Sequence, residues 1–414
     1  MKILIVNTSD IQGGAARAAN RLHKALLAQG IDSQMLVQSK SSNDFTVETT
    51  SNTIIQKGLS KLRFTIDSLP VRFYKNRTKT FFSPSWFGFS NVVDKINKIN
   101  PDIVHLHWIY DGMIKIEYLR KIKAPIVYSL HDMCLFTGGC HYDEECEAYK
   151  KECGNCKVLG SNKSNDLSRK IFNRKQKTFS QIENMTIIGL SKWLNECSKS
   201  STLLKERRHV NLPNPIDTNI FNPFDKDKSR ELWNLPKDKK LVLFGAVGAT
   251  SDPRKGFNEL SNTLHKLENK DIEFVVFGSS QPKESQNFGF KTHYLGSLAD
   301  DVSLVILYSS VDMTIVPSLQ ENLSNVIMES LACGTPVVGF DIGGNRDMVE
   351  HQKNGYLAKP FDTTDLANGI EWVINNENYE ELCEKAREKV LKEFDSNVVV
   401  KKYIALYEEI LENG

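Results

Sequence analysis

Residues 314–339 read TIVPSLQENLSNVIMESLACGTPVVG, and this stretch predicts a strand, a loop, a helix and a second strand in that order. The first strand would end at Pro317, because proline cannot donate a backbone hydrogen bond to a sheet. Ser324 is a favourable N-cap for the helix, and Gly334 followed by Pro336 would end it. Strands that alternate with helices in this way predict an α/β fold with parallel sheets.

Two carboxylates stand eight positions apart in this stretch, Glu321 in the predicted loop and Glu329 on the predicted helix. The first backbone N–H groups of the helix, near Ser324 and Asn325, would point outward at the positive end of the helix dipole. A diphosphate can bind there without a dedicated cation. Glu329 could accept hydrogen bonds from ribose hydroxyls, and Glu321 could reach a sugar. The layout therefore predicts a nucleotide-sugar site.

The segment resembles the E-x7-E motif of the retaining family 4 glycosyltransferases, and the likeness continues through Gly343-Gly344 and residues 354–357. The resemblance implies the GT-B fold, an α/β architecture in which two Rossmann-like domains with parallel sheets face a central cleft. It implies hexosyl transfer from a nucleotide-diphosphate sugar of UDP or GDP type to a hydroxyl of a glycan or lipid-linked acceptor. In the mechanism that the resemblance implies, the acceptor attacks from the same face and the leaving phosphate acts as base. The other mechanism is a double displacement in which Glu321 is the nucleophile.

Length and composition bound the class of protein. A chain of 414 residues is too long for one ordinary core and suits two domains. A net charge of +2 argues against nucleic-acid binding. The first residues read as a strand and not as a signal peptide, and no run approaches the roughly 18 apolar residues of a membrane span. We therefore expect a cytoplasmic protein, whose cysteines are reduced or bind metal.

The order of apolar runs predicts two sheets on either side of a proline-rich linker at residues 211–217. We expect an acceptor-binding domain over residues 1–212, a donor domain over 213–390, and a last helix over 391–414 that crosses back to the first domain, as the resemblance implies. The strand candidates are residues 3–6, 33–37, 103–106, 126–129 and 186–190, then 241–244, 273–277, 313–316 and 336–339.

Glycines and histidines follow strands of the first domain. Gly13 and Gly14 lie between a strand and a helix at about residues 18–29, where glycine permits close approach of a ligand. The resemblance places them near the donor phosphates and the acceptor. His107 and His131 follow later strands, at the sheet edge where α/β proteins bind ligands. His131 corresponds to the family's sugar-contacting histidine, while His107 fits a packed histidine equally well.

The cysteine-rich loop at residues 134–156 contains the spacing C-x5-C-x6-C-x2-C at Cys140, Cys146, Cys153 and Cys156. Four thiols can form a tetrahedral structural zinc site. Two disulfides or free thiols are the alternatives; His141 could replace one ligand, and Cys134 is the odd residue. A metal here would brace the loop over the acceptor cleft without touching the reaction. The loop resembles a family branch found among bacterial surface-polysaccharide enzymes, which suggests polysaccharide assembly.

A basic stretch from Lys57 to Lys79 has apolar residues at helical spacing beside it. Such a segment could lie on an anionic membrane, at its inner face, and meet a lipid-linked acceptor. An ordinary helix packed on the domain explains the same pattern.

Residues 244–257 resemble the family's strand, loop and Lys-Gly helix entry, so Lys255 would neutralise the donor diphosphate. The family's usual arginine is replaced here by Thr250, and Arg254 is the candidate substitute. Backbone groups around Leu295 would read the base. The D-x-D string at Asp225 and Asp227 lacks a preceding apolar strand and is not read as a metal site. Catalysis is expected to need no divalent ion.

Two other functions fit the same features. One is a GT-B epimerase or hydrolase that acts on the nucleotide sugar itself, and the other is a non-catalytic scaffold that keeps the fold. An acceptor-independent breakdown of the donor would favour the first. Absence of nucleotide binding would favour the second.

Overall fold

The computed structural model describes residues 1–51, 54–88, 91–245, 252–268, 271–278, 289–298 and 300–413, without the side chains of residues 54–57 and 59–61. The chain divides into two compact units. The first consists of Met1–Asn214 with Val400–Gly414, and the second of Pro215–Val399.

The first unit contains a seven-stranded parallel sheet in the order β3-β2-β1-β4-β5-β6-β7. Its strands are β1 (Lys2–Ser9), β2 (Asp32–Ser39), β3 (Val47–Thr49), β4 (Ile103–Leu106), β5 (Ile126–Leu130), β6 (Met185–Gly189) and β7 (Arg208–Asn211). Its helices are α1 (Gly14–Ala28), α2 (Ile54–Ser68), α3 (Asn91–Ile99), α4 (Leu167–Phe179) and α5 (Lys192–Lys199). Strand β4 is buried on both faces, as expected for the centre of a parallel sheet.

The second unit contains a six-stranded parallel sheet in the order β10-β9-β8-β11-β12-β13. Its strands are β8 (Lys240–Gly245), β9 (Ile272–Phe277), β10 (Thr292–Tyr294), β11 (Met313–Val316), β12 (Val337–Phe340) and β13 (Gly355–Ala358). Its helices are α6 (Lys226–Leu232), α7 (Phe257–Leu264), α8 (Asp301–Ser310), α9 (Asn325–Ala332), α10 (Asn345–Met348), α11 (Thr363–Ile374) and α12 (Tyr379–Glu393).

The last helix, α13 (Ser396–Glu412), begins in the second unit and ends in the first. In the first unit, the Tyr407 hydroxyl lies 2.7 Å from His105 Nδ1, and the Tyr403 hydroxyl donates to the carbonyl of Pro213 at 3.3 Å. Both tyrosines are buried, so this end of the helix belongs to the core of the first unit. No helix in the described ranges is long and apolar enough to cross a membrane.

The nine predicted strands are present, and the structure adds β3, β7, β10 and β13. The added strands are the outermost ones of the two sheets. Asp225 of the rejected D-x-D string is the N-cap of α6, where its carboxylate accepts a hydrogen bond from the Lys228 N–H at 2.8 Å. The string therefore begins a helix.

Parallel pairing brings the carboxyl ends of neighbouring strands to one edge of each sheet. In the first unit, Val6 of β1 pairs with Leu106 of β4, which pairs with Tyr128 of β5. The residues that follow these strands therefore lie at the edge where α/β proteins bind ligands.

Candidate functional site

Lys255 and Glu321 form an ion pair in the second unit. Lys255 Nζ lies 2.8 Å from Glu321 Oε2, and the Ser318 hydroxyl donates to the same oxygen at 3.4 Å. The lysine side chain is 25% exposed and the glutamate side chain 12%, so both can be reached from solvent. The fold thus joins a cation and a carboxylate that are 66 positions apart in sequence.

Close backbone approach holds this pair in place. Gly256, which follows Lys255, has a left-handed backbone with φ of 70°, and a Cβ added to it would lie 1.8 Å from the carbonyl oxygen of Pro317. Only glycine fits there, since a side chain would meet both strain and a clash. The Leu319 N–H donates to the carbonyl of Arg254 at 2.8 Å, which ties the loop after β11 to the turn that carries Lys255.

The predicted helix start after Glu321 is confirmed. Ser324 is the N-cap of α9, and its hydroxyl accepts a hydrogen bond from the Ile327 N–H at 3.5 Å. The N–H groups of the first helical turn have no carbonyl partner within the helix, and the helix dipole makes this end attractive to an anion. Gly245, Lys255, Pro317, Ser318 and Ser324 line a depression at this point.

Glu329 lies on α9 as predicted, but it is only 3% exposed. One of its carboxylate oxygens accepts a hydrogen bond from the Tyr308 hydroxyl at 3.0 Å. Tyr308, which the sequence did not single out, is itself fully buried. Glu329 therefore lies on the buried face of α9. Its contact with a ribose stays a prediction.

Arg254 pairs with Asp252, with Nη2 2.6 Å from Oδ2. Burial would raise the pKa of Asp252, but the hydrogen bonds and charge of Arg254 hold it below its usual value. Asp252 thus offsets the charge of Arg254, as Glu321 offsets that of Lys255. Thr250, at the position of the family's arginine, lies outside the described residues.

Leu295 follows strand β10, and its N–H donates to the carbonyl of Val276 at 2.9 Å. The N–H is thus part of the sheet ladder and cannot also read a base. A backbone hydrogen bond between Leu295 and a base would therefore have to use the Leu295 carbonyl. The carbonyl can only accept a hydrogen bond from the base.

Gly13 and Gly14 lie at the exposed start of α1 in the first unit. Gly13 is the N-cap, with φ of 94°, and a Cβ added to it would meet nothing within 4 Å. Its backbone conformation, rather than crowding, is therefore what requires glycine. The structure confirms the glycine turn, and its contact with a donor stays a prediction.

Three histidines form a row that runs from strand β4 to the carboxyl edge of the first sheet. His105 bonds to the hydroxyls of Tyr407 and Ser129, at 2.7 and 2.8 Å, while His107 Nδ1 lies 2.9 Å from His131 Nε2. Burial lowers the pKa of His105 to about 3 and that of His131 to about 4. His131 is therefore neutral near pH 7 and offers a hydrogen bond rather than a charge.

A second polar network begins one residue after His131. Asp132 Oδ2 lies 2.7 Å from His141 Nδ1 and accepts from Trp108 Nε1 at 3.0 Å, while His141 Nε2 lies 2.8 Å from the Ser83 hydroxyl. Burial opposes the charge on His141, but Asp132 and Cys134 raise the pKa of its imidazole to about 10. Asp132 and Ser83 were not among the predicted site residues, although the adjacency of Asp132 to His131 was a usable signal.

The eight cysteines are free thiols in the structure. Cys140, Cys153 and Cys156 are buried and Cys146 is exposed. Across the described residues, the group of three metal-ligand types with atoms all within 4.8 Å of one another is Asp132, Cys134 and His141, not the four thiols at the predicted zinc spacing.

Comparison with protein families gives two matches that do not overlap. Residues 12–157 match the family described as Glycosyltransferase Family 4, and residues 225–392 match the family described as Glycosyl transferases group 1. An uncharacterized glycosyltransferase of Methanocaldococcus jannaschii is 25% identical over 324 residues, which cover 75% of this chain and 76% of that protein.

Many solved structures resemble this chain, and the following two match it over nearly its whole length. Sucrose-phosphate synthase from Thermosynechococcus elongatus gives a TM-score of 0.71 at 19% identity and covers 100% of both chains. Anabaena HepE in complex with UDP gives a TM-score of 0.66 at 17% identity and covers 99% of this chain and 100% of that one. Likeness at this identity shows the fold, and the GT-B fold that the sequence predicted is confirmed.

Proposed function

Because the chain belongs to the family 4 glycosyltransferases of the GT-B fold, we propose that it is a retaining hexosyltransferase. It moves a sugar from a nucleotide-diphosphate donor to a hydroxyl of a glycan or lipid-linked glycan, in bacterial polysaccharide assembly. The observation that carries the proposal is the Lys255–Glu321 pair, at 2.8 Å, next to the N-terminus of α9.

The proposed donor site consists of a cation, a helix N-terminus and a carboxylate. Lys255 and the first turn of α9 would hold the diphosphate, since both favour negative charge. The likeness to HepE favours a UDP-type donor. Structures of HepE have been solved with UDP and glucose and with UDP-glucose. GDP is the other candidate.

The reaction separates charge as the anomeric carbon–oxygen bond breaks. Negative charge grows on the leaving diphosphate, so the interaction with the Lys255 ammonium becomes stronger in the transition state than in the bound donor. The acceptor hydroxyl attacks from the same face and gives its proton to the leaving phosphate. Glu321, which pairs with Lys255, would hold the sugar. The roles of Gly13, Gly14 and His131 remain those that the family resemblance implies.

The acceptor proposal is supported by a groove of about 850 Å³ in the first unit. Leu69, Phe73 and Trp86 give it an apolar wall and are themselves exposed, Phe73 to 86%. Lys75, Lys163 and Lys170 line the same groove. We propose that it binds a lipid-linked acceptor at an anionic membrane surface, because apolar area and cations together suit that partner. In the predicted basic stretch from Lys57 to Lys79, the side chains of Lys57, Leu59 and Lys61 are not described by the structure.

A thermal-shift screen against UDP, GDP, ADP and CDP tests the donor proposal, because a bound ligand raises apparent stability. Lys255→Ala is expected to weaken binding of the matching diphosphate about 10- to 100-fold, the range for a hydrogen bond to a charged group. Lys266→Ala is the matched control, since Lys266 is an exposed lysine of the same unit that bonds to Thr363 and Thr364. Equal binding by the parent and Lys255→Ala would refute this donor site.

Turnover measurements separate transfer from the other two functions. Glu321→Ala is expected to lower turnover more than donor binding, and Glu329→Ala to weaken nucleotide binding. Donor breakdown at the same rate with and without acceptor would instead indicate a hydrolase or epimerase. No shift with any nucleotide would indicate a scaffold. The anomeric configuration of the product, read by NMR, tests retention.

A further inference from the structure

Three neighbouring rings form an aromatic strip on the first unit: Phe64 on α2, Phe81 between α2 and α3, and Trp108 after β4. The ring centroids of Phe64 and Phe81 lie 6.5 Å apart, as do those of Phe81 and Trp108. Phe64 is 47% exposed and Phe81 44%, while Trp108 is half-buried. Single exposed apolar side chains are common, but adjacent exposed rings from three parts of a chain indicate a binding surface.

The buried imidazole of His141 supports the aromatic strip from within the protein. Its ring centroid lies 5.4 Å from that of Phe81 and 5.7 Å from that of Trp108. The backbone N–H of His141 also donates to the Phe81 carbonyl at 3.0 Å. Asp132 and Ser83 hold the two imidazole nitrogens. A ligand on these rings would therefore lose little free energy to ordering them.

Trp108 connects the aromatic strip to the histidine that the family resemblance places at the sugar. Trp108 Nε1 donates to Asp132 Oδ2 at 3.0 Å, and Asp132 follows His131 directly in the sequence. His107, the residue before Trp108, has its Nδ1 atom 2.9 Å from His131 Nε2. One end of the strip thus lies beside His131, at the sheet edge where α/β proteins bind ligands.

A carboxylate stands next to the aromatic strip. Asp111 follows Trp108 by three positions and has a left-handed φ of 58°. A Cβ added to the next residue, Gly112, would lie 2.9 Å from the carbonyl oxygen of Arg63, which precedes Phe64. The Asp111 turn therefore reaches from Trp108 to the part of α2 that carries Phe64.

The Asp111 side chain is half-buried, and its carboxylate has no hydrogen-bond partner within the described part of the chain. Burial raises the pKa of Asp111 to about 6, so the group is mostly ionised at pH 7. An ionised carboxylate can accept hydrogen bonds at both oxygens. Asp111 is therefore available to hydroxyl groups of a ligand.

We propose that the aromatic strip and Asp111 bind one pyranose ring of a glycan acceptor. The C–H groups on one face of a pyranose carry partial positive charge and pack on the electron-rich face of an aromatic ring. Hydroxyls at the edge of the sugar can donate to the carboxylate. An aromatic wall with a few polar groups is typical of a small-molecule site. An anionic membrane surface would instead be repelled by Asp111.

This inference rests on the proposed function and deepens it, because it names the part of the acceptor that the first unit recognises. The aromatic strip takes a sugar of the acceptor, whereas the groove lined by Phe73 was proposed for its lipid. Recognition of one ring face and of ring hydroxyls would also select among sugars, since the position of each hydroxyl changes the exposed C–H face.

Saturation-transfer difference NMR of the full-length protein tests the proposal with methyl glycosides of glucose, galactose, mannose, N-acetylglucosamine and N-acetylgalactosamine. At least one glycoside should bind, and the protons on one face of its ring should receive more saturation than those on the other. Phe81→Leu should weaken this binding at least about tenfold, because it removes the aromatic face but keeps an apolar side chain. Phe81→Tyr should keep it. Phe45→Leu is the matched control, since Phe45 is a 93% exposed phenylalanine of the same unit outside the strip.

Asp111→Asn tests the polar half of the site. It should weaken binding of the same glycoside about tenfold, because a hydrogen bond to a charged group is lost while the shape of the side chain is kept. Asp32→Asn, at an exposed aspartate at the start of β2, is the control and should have no effect. Equal glycoside affinities of the two variants would remove Asp111 from the site.

Three further results would overturn the proposal. The first is a parent protein that binds no glycoside of the panel, or that saturates both faces of the sugar equally. The second is displacement of the glycoside by saturating UDP-glucose or GDP-mannose, which would assign the strip to the donor sugar. The third is binding of phosphatidylglycerol vesicles that Phe81→Leu abolishes, in a parent without glycoside binding, which would assign the strip to a membrane.

Thermal shift with UDP and GDP on the same preparation separates this proposal from the donor proposal. A parent protein that binds a diphosphate but no glycoside would refute the aromatic strip alone. A parent that binds a glycoside but no nucleotide would refute the donor site and leave the strip as a sugar site.

Discussion

His107 Nδ1 lies 2.9 Å from His131 Nε2, with the two ring centroids 5.2 Å apart. Burial lowers the pKa of both imidazoles far below 6.5, so both are neutral near pH 7. One nitrogen of the pair must then donate and the other accept, which couples the tautomers of the two rings and sets the orientation of His131. His107 Nε2 is buried and has no hydrogen-bond partner among the described residues.

His107→Phe should reduce turnover about tenfold, the equivalent of one neutral hydrogen bond, with a smaller change in donor KM. The reason is that His131 loses the partner that orients it, while a planar ring still fills the site. His107→Gln, which can still donate and accept, should recover part of the rate. His209→Phe, on the edge strand β7, is the matched control. A fall in thermal stability without a fall in kcat would show that His107 only packs.

Ser324→Ala should destabilise the protein by about 1 kcal/mol and also weaken diphosphate binding. The N-cap hydroxyl holds the first turn of α9, whose N–H groups form part of the proposed site. Ser191→Ala is the control, because Ser191 caps α5 in the same way and accepts from the Leu194 N–H at 3.1 Å. Urea unfolding and nucleotide titration of both variants check this. Equal nucleotide affinities of Ser324→Ala and Ser191→Ala would show that α9 is not part of the diphosphate site.

Gly256→Ala should lower the thermal unfolding midpoint far more than Gly296→Ala. Both glycines have φ of 70°, so both substitutions cost about 1 kcal/mol of backbone strain. Only at Gly256 would the new Cβ strike a backbone atom, 1.8 Å away, whereas nothing lies within 4 Å at Gly296. Overpacking adds about 1–3 kcal/mol or more. Similar midpoints would mean that the Lys255 turn moves freely away from Pro317.

Asp312→Asn should destabilise the second unit near pH 7, and the difference from the parent should shrink as the pH falls. Burial would raise the pKa of Asp312, but Lys226, the Leu241 N–H and Arg230 hold it below 3.8. A depressed pKa stabilises the fold at pH values above the unfolded-state pKa, and that stability is lost as the pH falls through the folded-state value.

Unfolding midpoints at pH 7 and at about pH 3 check this prediction. The loss at pH 7 should be about 3 kcal/mol, because the buried Arg230 would remain without its carboxylate partner. Asp271→Asn, which removes an exposed partner of Lys239, is the control and should have little effect. A constant difference at both pH values would contradict the prediction.

The sequence located several candidate residues but not their partners. Ser324 as a helix cap and Glu321 in a loop followed from local chemistry, and both are confirmed. The contact of Glu321 with Lys255 joins residues 66 positions apart, and the burial of Glu329 against Tyr308 depends on the packing of α8 on α9. No local pattern carries such information. The family resemblance suggested one role for Lys255 and another for Glu321. It did not suggest that the two residues form an ion pair.

Strand order divides what the sequence determined from what the tertiary structure decided. Central strands such as β4 and β11 are buried on both faces, so short and mostly apolar runs revealed them. The four strands that the sequence missed, β3, β7, β10 and β13, are the edges of the two sheets. An edge strand pairs on one side only and need not be apolar throughout; β7 has no fully buried residue. Such segments become strands because a finished neighbour offers its backbone hydrogen bonds, and that neighbour exists only in the folded chain.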